Sequence, residues 1–241
     1  MGDPAKVAVL AGASGLVGAH LLEVLLAAPD FARVYAVTRR PLGRDNPRLA
    51  NRIVQFERLE EQLKGLTCHT AFCCLGPRPG EADSEQALRR FELGYVVAFA
   101  RAAKAASAER LVLLSCAGAA VERSAPMRLK AEAERALEGI GFPALDILQP
   151  GPLLGLRRET SLIDLVRTFG MPLVNPLLTG ARESQRGISA RTVAQAMLGA
   201  SRGGRRGVHR YAYTAIGSLA SVKAATRVAP AAKTPPRRSA E

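Results

Sequence analysis

The chain has 241 residues, of which 48% are hydrophobic and only 5% are aromatic, and it contains no tryptophan. This length and apolar share suffice for one complete core of aliphatic side chains, and they exclude a wholly disordered chain. The formal net charge is +13, but residues 201–241 hold nine of the 34 basic side chains and one of the 21 acidic ones. A basic excess concentrated at one end bears on solubility and anion binding and not on the fold.

The sequence carries no signal for a membrane span or for a metal site. No stretch approaches the roughly 20 uninterrupted apolar residues that a spanning helix needs. The first residues, MGDPAKVAVLAG, lack the basic start and apolar stretch of a secretory signal. The histidines and the cysteines have no spacing typical of metal ligands, so we expect buried reduced thiols and no metal; the cysteines are Cys68, Cys73, Cys74 and Cys116. We therefore expect a soluble, cytoplasmic protein.

Short apolar runs alternate along the chain with segments of helical periodicity. Strands are predicted at 6–11, 34–38, 52–56, 70–75, 110–115 and 144–148, and helices at 15–28, across 91–102, from 130 to 137 and at 190–198. Strands that are apolar throughout and are separated by helices are typical of a parallel sheet covered on both faces. The prediction is an α/β fold, a Rossmann-type doubly wound parallel sheet with a small C-terminal substrate-side segment.

A single NAD(P)-binding domain is predicted over residues 1–225. Within it, segment 153–187 is rich in Leu, Arg, Gly and Pro, with a helix at 161–169, and is expected to close over the substrate side. Residues 208–213 alternate in polarity and predict an edge strand. Residues 226–241 are expected to form a disordered basic tail. Because the tail has no aromatic residue to stack on bases, the sequence disfavours nucleic-acid binding.

A glycine-rich turn, Gly12-Ala13-Ser14-Gly15-Leu16-Val17-Gly18, joins the first strand to the first helix. A pyrophosphate binds where backbone N–H groups and a helix N-terminus approach it closely. Glycine at positions 12 and 15 removes the Cβ atoms that would block this approach, and Gly18 lets the helix pack close to the sheet. Glycines at this spacing indicate a dinucleotide site only when a strand precedes them and a helix follows. Because both are present here, the turn predicts a dinucleotide site.

The end of the second strand predicts which dinucleotide binds. An NAD site usually has an acidic residue there for the ribose hydroxyls, whereas this chain has Thr38-Arg39-Arg40 and no acid between Phe31 and Gly43. Two guanidinium groups can hold a 2′-phosphate through charge-assisted hydrogen bonds. The sequence therefore favours NADP(H) over NAD(H), with Arg39 nearer the strand end; the alternative is that both arginines are solvated loop charges.

Several segments together resemble a known family. GASGLVG, TRRP, FCCLG, VLLSCAGA, KAEAE, QPGPLLG and ISARTVAQAML occur in the order seen in the atypical short-chain dehydrogenases/reductases, and they are most similar to the Tat-interacting-protein-like oxidoreductase group. The resemblance covers about residues 5–215. It implies NADPH bound across the carboxyl ends of the strands, with Gly12, Ser14, Gly15, Leu16 and Val17 at the pyrophosphate, Arg39 and Arg40 at the adenosine phosphate, Leu75 and Gly76 beside the ribose or nicotinamide, and Pro150 and Gly151 at the far end.

The family's catalytic pattern is incomplete in this chain. Short-chain reductases use a Ser at the end of the fifth strand to position the carbonyl, and a Tyr-x-x-x-Lys on the next helix. The Tyr donates the proton, and the Lys lowers the pKa of that Tyr and holds the nicotinamide ribose. Ser115 and Lys130 match two of these positions, whereas Pro126 stands at the Tyr position. None of the four tyrosines, Tyr35, Tyr95, Tyr211 and Tyr213, has a Lys four residues later.

Three functions remain open from the sequence. The first is an NADP(H)-dependent oxidoreductase or epimerase on an unidentified carbonyl or alcohol, with Ser115, Cys116 or a bound water as substitute acid. The second is a non-catalytic NADPH-binding sensor or scaffold whose closing segment 153–187 responds to NADPH, with a protein as a possible partner. The third, which the sequence favours least, is a nucleic-acid or polyanion binder that acts through the tail. For Lys130 the alternative to ribose contact is a solvated helix lysine paired with Glu134.

Overall fold

The computed structural model describes residues 6–77, 80–119, 124–154 and 186–221. Nine strands lie in these ranges: β1 (Lys6–Ala11), β2 (Phe31–Thr38), β3 (Leu49–Ile53), β4 (Thr70–Cys73), β5 (Arg110–Leu114), β6 (Ala144–Leu148), β7 (Leu153–Leu154), β8 (Ile188–Ser189) and β9 (Gly207–Tyr211). Seven of them form one sheet in the order β3-β2-β1-β4-β5-β6-β9, with every neighbouring pair parallel. The strand order reverses between β1 and β4, as in a doubly wound sheet. The predicted fold class is confirmed.

The helices follow the strands as crossover connections. They are α1 (Leu16–Ala27), α2 (Leu59–Gln62), α3 (Glu85–Arg89), α4 (Tyr95–Ala105), α5 (Ala125–Ile140), α6 (Ala190–Ser201) and α7 (Tyr213–Ser221). One turn of π-helix, Arg90–Gly94, joins α3 to α4 without a break. Ser189 caps α6, because its hydroxyl accepts a hydrogen bond from the backbone N–H of Thr192 at 3.0 Å. In the described part of the chain, no helix is both long and apolar enough to cross a lipid bilayer.

Alternate residues of the central strands supply two separate cores, one on each face of the sheet. In β1, Ala8 and Leu10 belong to the core beneath α1 and α6, whereas Val9 and Ala11 belong to the core beneath α4 and α5. All four side chains are at most 1% exposed. Burial on both faces explains why the strands read as uninterrupted apolar runs in the sequence.

Several predicted elements differ from the structure in their bounds, and the third strand and helix α5 show this clearly. The third strand is predicted at 52–56 but lies at Leu49–Ile53, because Phe56 instead begins a short 3-10 turn that buries its ring in the core. Helix α5 begins at Ala125 and not near residue 130, with Ser124 as its N-cap. The predicted edge strand at 208–213 corresponds to β9, which lies beside β6 at the edge of the sheet.

Segment 153–187 is described only at its ends. Leu153–Leu154 and Ile188–Ser189 pair as a separate two-stranded parallel sheet. The helix predicted at 161–169 and the tail predicted at 226–241 lie outside the described residues.

Candidate functional site

The candidate site residues follow the carboxyl ends of five neighbouring strands. The glycine turn follows β1, Arg39 and Arg40 follow β2, Leu75 and Gly76 come shortly after β4, Ser115 follows β5, and Pro150 and Gly151 follow β6. Since the sheet is parallel, these positions share one edge, and the glycine turn lies where the strand order reverses. Ligands of open α/β sheets bind in the crevice at this point.

The glycine turn packs so closely that two of its glycines leave no space for a side chain. Gly12 adopts φ +85°, and a Cβ atom there would lie 2.4 Å from the carbonyl oxygen of Cys74. A Cβ atom on Gly18 would lie 2.0 Å from the carbonyl oxygen of Gly12. The turn is closed by a 3.0 Å hydrogen bond from the Gly15 N–H to the Gly12 carbonyl. These contacts fix the first turn of α1 against β1 and β4.

The N-terminus of α1 is open toward the carboxyl edge. Gly15 is its N-cap residue, with no side-chain cap, and no acidic residue lies in its first turn. Ser14 and Gly15 are exposed, whereas the Val17 side chain is buried and can offer only its backbone to a ligand. The partial positive charge of the helix end is therefore not neutralised by a carboxylate of its own first turn, which suits an anionic ligand. The residues present thus fit the pyrophosphate of a dinucleotide.

Arg39 and Arg40 are both exposed but differ in their contacts. Nη2 of Arg39 donates to the two carboxylate oxygens of Glu81 at 2.7 and 3.0 Å. Its guanidinium carbon lies 5.4 Å from the ring centroid of Phe91. The backbone carbonyl of Arg40 accepts a hydrogen bond from the Thr38 hydroxyl at 2.8 Å. Arg39 is therefore an ion-paired side chain, and the interpretation of a merely solvated loop charge is wrong for it.

Ser115 is bound to a buried carboxylate on α5. Its hydroxyl donates to Oε1 of Glu134 at 2.5 Å, and both residues are buried. Glu134 also accepts from the amide of Gln149 at 2.9 and 3.0 Å and from Nε of Arg210 at 3.2 Å. Because the Ser115 hydrogen is directed at Glu134, the lone pairs of its oxygen are what it can offer to another ligand.

Lys130 is largely buried and forms an ion pair with Glu92. Its Nζ donates to Oε2 of Glu92 at 2.7 Å, with 20% and 7% of the two side chains exposed. Burial by itself lowers the pKa of Lys130, but the Glu92 carboxylate outweighs it, so the pKa is raised and the amine stays charged. The interpretation of Lys130 as a solvated partner of Glu134 is wrong, because Glu134 holds Ser115 and Gln149 instead.

Neither Pro126 nor Cys116 can replace the family's tyrosine as a good proton donor. Pro126 lies in the first turn of α5, where a proline fits because that N–H has no partner within the helix. Burial raises the pKa of the Cys116 thiol, and the opposing effect of Lys130 is smaller.

Two acidic residues of the site, Glu81 and Glu92, were missed in the sequence, and Glu134 was considered there only as a partner of Lys130. A signal existed for Glu92, since it precedes Val96, Phe99 and Ala103 by four, seven and eleven residues and so falls on their buried stripe. An acid on such a stripe indicates a buried partner. Glu81 gives no comparable signal, because it lies in an irregular connection. Among the described residues, no group of three or more His, Cys, Asp or Glu side chains could hold a metal ion.

Comparison with curated proteins identifies relatives over most of the chain. The mitochondrial protein fmp52-1 of Aspergillus terreus is 30% identical over 188 residues, which are 75% of this chain and 80% of that protein. HTATIP2 of Rattus norvegicus is 32% identical over 160 residues, which are 64% of this chain and 66% of that protein. No family model matches the sequence.

Solved structures share the fold at low sequence identity. MoeE5 in complex with UDP-glucose and NAD aligns with a TM-score of 0.63 and 18% identity, covering 88% of this chain and 80% of that one. A UDP-N-acetylglucosamine 4-epimerase from Methanobrevibacter ruminantium aligns with a TM-score of 0.65 and 17% identity, covering 87% and 77%. At this identity the likeness establishes the Rossmann-type fold.

The relatives correct one expectation and confirm another. The FMP52 proteins of Aspergillus terreus and Saccharomyces cerevisiae are named as mitochondrial, which contradicts the expectation of a cytoplasmic protein. The resemblance noted in the sequence is confirmed by the FMP52 and HTATIP2 relatives. The chain belongs to the Tat-interacting-protein-like group of the atypical short-chain dehydrogenase/reductase family.

Proposed function

We propose that this chain binds NADP(H) along the carboxyl edge of its sheet and acts as an oxidoreductase on a small carbonyl or alcohol substrate. The observation that carries the proposal is the glycine turn. Gly12 and Gly18 fit their positions only without a Cβ atom, and the helix end behind them is open to an anion. Family membership supports the same nucleotide class.

The proposed cofactor contacts follow the strand ends in order. Gly12, Ser14, Gly15, Leu16, Val17 and Gly18 would hold the pyrophosphate, Arg39 and Arg40 the 2′-phosphate, Leu75 and Gly76 the ribose or nicotinamide, and Pro150 and Gly151 the far end. The preference for NADP(H) rests on the two guanidinium groups after β2, because bidentate guanidinium–phosphate pairs are strong and geometrically selective.

Ser115 and Lys130 are the proposed catalytic residues. The bound cofactor would supply or accept the hydride. Lys130, held in its charged form by Glu92, would keep a positive charge beside the ribose hydroxyls. Ser115 would position the reacting oxygen, and with its hydrogen on Glu134 it suits a substrate hydroxyl that donates to it.

Proton transfer to or from the reacting oxygen is the step for which the chain offers the weakest candidate residues. The raised pKa of Cys116 makes its thiol a poorer acid than a free cysteine, and Ser115 already donates to Glu134. Of the three substitutes considered, a bound water is therefore favoured as proton donor or acceptor. A water-mediated transfer would be slower than transfer from a tyrosine held at the reacting oxygen.

A second candidate is a non-catalytic NADPH-binding sensor or scaffold. The observation that favours it is Pro126, which occupies the position of the proton-donating tyrosine with a side chain that carries no acidic proton. Cofactor binding and turnover are separable in this candidate, since the glycine turn and the arginines do not depend on residue 126.

Titration of the full chain with NADPH and NADH, followed through cofactor fluorescence, tests the proposal, and the absence of tryptophan simplifies the signal. We expect NADPH to bind about 10- to 100-fold more tightly than NADH, which corresponds to the worth of charged hydrogen bonds. Arg39→Ala should remove most of this preference, whereas Arg33→Ala, the same charge change nearer the start of β2, should not. Equal affinities for NADPH and NADH in the unmodified chain would contradict the NADP(H) assignment.

A screen of aldehydes and ketones then separates the two candidate functions. Turnover supports the oxidoreductase, and tight NADPH binding without turnover supports the sensor.

A further inference from the structure

Arg39, which the proposed function assigns to the 2′-phosphate, already holds an anion of the protein itself. Its Nη2 donates to both oxygens of Glu81, at 2.7 and 3.0 Å. Glu81 lies 42 residues later, in the connection between β4 and α3. The carboxylate is the more buried partner, with 25% of its side chain exposed against 44% for Arg39. The chain thus supplies an acid at the end of β2 from a different strand connection.

The ring of Phe91 restricts the same guanidinium group. The Cζ atom of Arg39 lies 5.4 Å from the ring centroid, within the range of a cation–π contact. Phe91 is 8% exposed and belongs to the π-helical turn, and Tyr95 meets its ring edge-on at 5.3 Å. A guanidinium group that contacts a fixed ring and a carboxylate has few remaining rotamers, so its donors are already oriented toward an oxyanion.

Arg40 provides the contrast within the same loop. Its side chain is exposed, and the described residues offer its guanidinium no ion pair or hydrogen bond. An incoming phosphate can therefore meet Arg40 without displacing a protein group, but it must compete for Arg39. The competitors are a carboxylate with one negative charge and a phosphate with about 1.5 to 2 negative charges at neutral pH.

We propose that Glu81 competes with the 2′-phosphate of NADP(H) for Arg39 and so sets the strength of the preference for NADP(H) over NAD(H). The inference rests on the proposed function, because it concerns the same adenosine site. Binding of the 2′-phosphate at Nη2 of Arg39 requires Glu81 to leave that atom, whereas NAD(H), which lacks the phosphate, leaves the ion pair in place. Glu81 therefore lowers the affinity for the phosphorylated cofactor alone.

The test compares 2′,5′-ADP with 5′-AMP, which differ only in the 2′-phosphate, by calorimetric titration of the full chain at constant ionic strength. Glu81→Gln should bind 2′,5′-ADP about threefold more tightly than the unmodified chain, the range expected for loss of an exposed ion pair. Its affinity for 5′-AMP should not change. Asp83→Asn is the matched control, since it removes the same charge from the same connection at an exposed position. It should alter both affinities by less than about 1.5-fold, because screening by solvent and salt weakens a remote exposed charge.

Arg39→Ala and the double variant Arg39→Ala/Glu81→Gln complete the cycle. Without Arg39, the Glu81 substitution should no longer tighten 2′,5′-ADP binding. The proposal is overturned if Glu81→Gln binds 2′,5′-ADP no more tightly than Asp83→Asn does. Weaker 5′-AMP binding by Glu81→Gln also overturns it, because Glu81 would then be a ribose ligand.

The cycle separates this inference from the proposed function. Arg39→Ala could weaken the binding of 2′,5′-ADP relative to that of 5′-AMP while Glu81→Gln changes neither affinity. In that case the proposed competition by Glu81 is wrong and the NADP(H) preference stands. If Arg39→Ala leaves the two affinities in their original ratio, the preference itself fails. Binding of neither nucleotide by the unmodified chain would overturn both.

Discussion

The Ser115 hydroxyl donates a 2.5 Å hydrogen bond to Glu134, and this pair joins the end of β5 to the middle of α5. The amide of Gln149, which follows β6, donates to the same carboxylate. Glu134 is 4% exposed, so its charge is compensated by these donors and by Arg210 instead of by bulk water. The carboxylate therefore orients the candidate catalytic serine and ties two strand ends to one helix.

Glu134→Ala is expected to lower the free energy of unfolding by roughly 2–4 kcal/mol, because it leaves the Ser115 hydroxyl and the Gln149 amide without their buried acceptor. Glu138→Ala is the matched control on the same helix. Glu138 pairs with Arg210 but has 39% of its side chain exposed, so the cost should be at most about 1 kcal/mol. Urea unfolding of both variants measures the difference, and equal costs would show that the buried network adds no stability.

Gly18→Ala is expected to destabilise the protein by about 1–3 kcal/mol and to weaken binding of 2′,5′-ADP. The added Cβ atom would lie 2.0 Å from the Gly12 carbonyl oxygen, so α1 must move away from the glycine turn. Gly139→Ala serves as control, since apart from its chain neighbours and the nearby backbone of α5 no described atom lies within 4 Å of its Cβ position. That variant should be neutral or more stable by up to about 1 kcal/mol, because alanine is the better helix former. If Gly18→Ala behaves like Gly139→Ala in denaturant and in nucleotide titration, the close packing assigned to the turn is wrong.

Pro126→Tyr restores the Tyr-x-x-x-Lys spacing before Lys130. Because Pro126 lies in the first turn of α5, its replacement removes no hydrogen bond of the helix. We expect NADPH-dependent reduction of an aldehyde or ketone panel to rise by at least about 100-fold, the lower range for a positioned general acid. Pro126→Phe, which has the ring without the hydroxyl, should show no gain. A Tyr variant that binds NADPH normally but gains no activity would favour the sensor over the oxidoreductase.

The Asp30–Arg202 pair predicts a pH dependence of stability. Nε and Nη2 of Arg202 donate to the two Asp30 oxygens at 3.0 and 2.6 Å, which links the start of β2 to the end of α6. The hydrogen bond from Arg202 lowers the pKa of Asp30 despite partial burial. A carboxyl group with a lowered folded-state pKa stabilises the fold fully above its unfolded pKa of about 3.9, and this contribution disappears as pH falls through the folded-state value.

Asp30→Asn should therefore be less stable than the unmodified chain by about 1 kcal/mol at pH 7, a value reduced by the partial exposure of the pair. The difference should shrink toward zero as pH falls well below 4. Urea unfolding of both proteins at several pH values checks this. A difference that is constant between pH 7 and pH 3 would show that the ionised pair is not its source.

The sequence by itself determined the elements whose signal is local. Apolar runs and helical periodicity reflect which faces of a segment are buried, and this depends on residues two apart in a strand and three to four apart in a helix. The glycine turn was predictable for the same reason, since Gly12, Gly15 and Gly18 interact with one another. The doubly wound topology followed because a parallel sheet with right-handed crossovers allows few alternatives. The third strand was misplaced because Phe56 is apolar but packs from a 3-10 turn, and apolarity alone does not distinguish the two.

Only the tertiary structure decided which charge each site residue faces. Lys130 binds Glu92 from 38 residues away, Ser115 binds Glu134 from 19 residues away, and Arg39 binds Glu81 from 42 residues away. One interpretation of the sequence paired Lys130 with Glu134 because they are neighbours on one helix, but burial against the sheet brings a different carboxylate to each donor. Local spacing determines secondary structure, whereas charge pairing at the carboxyl edge depends on which strand ends and helix faces the fold brings together.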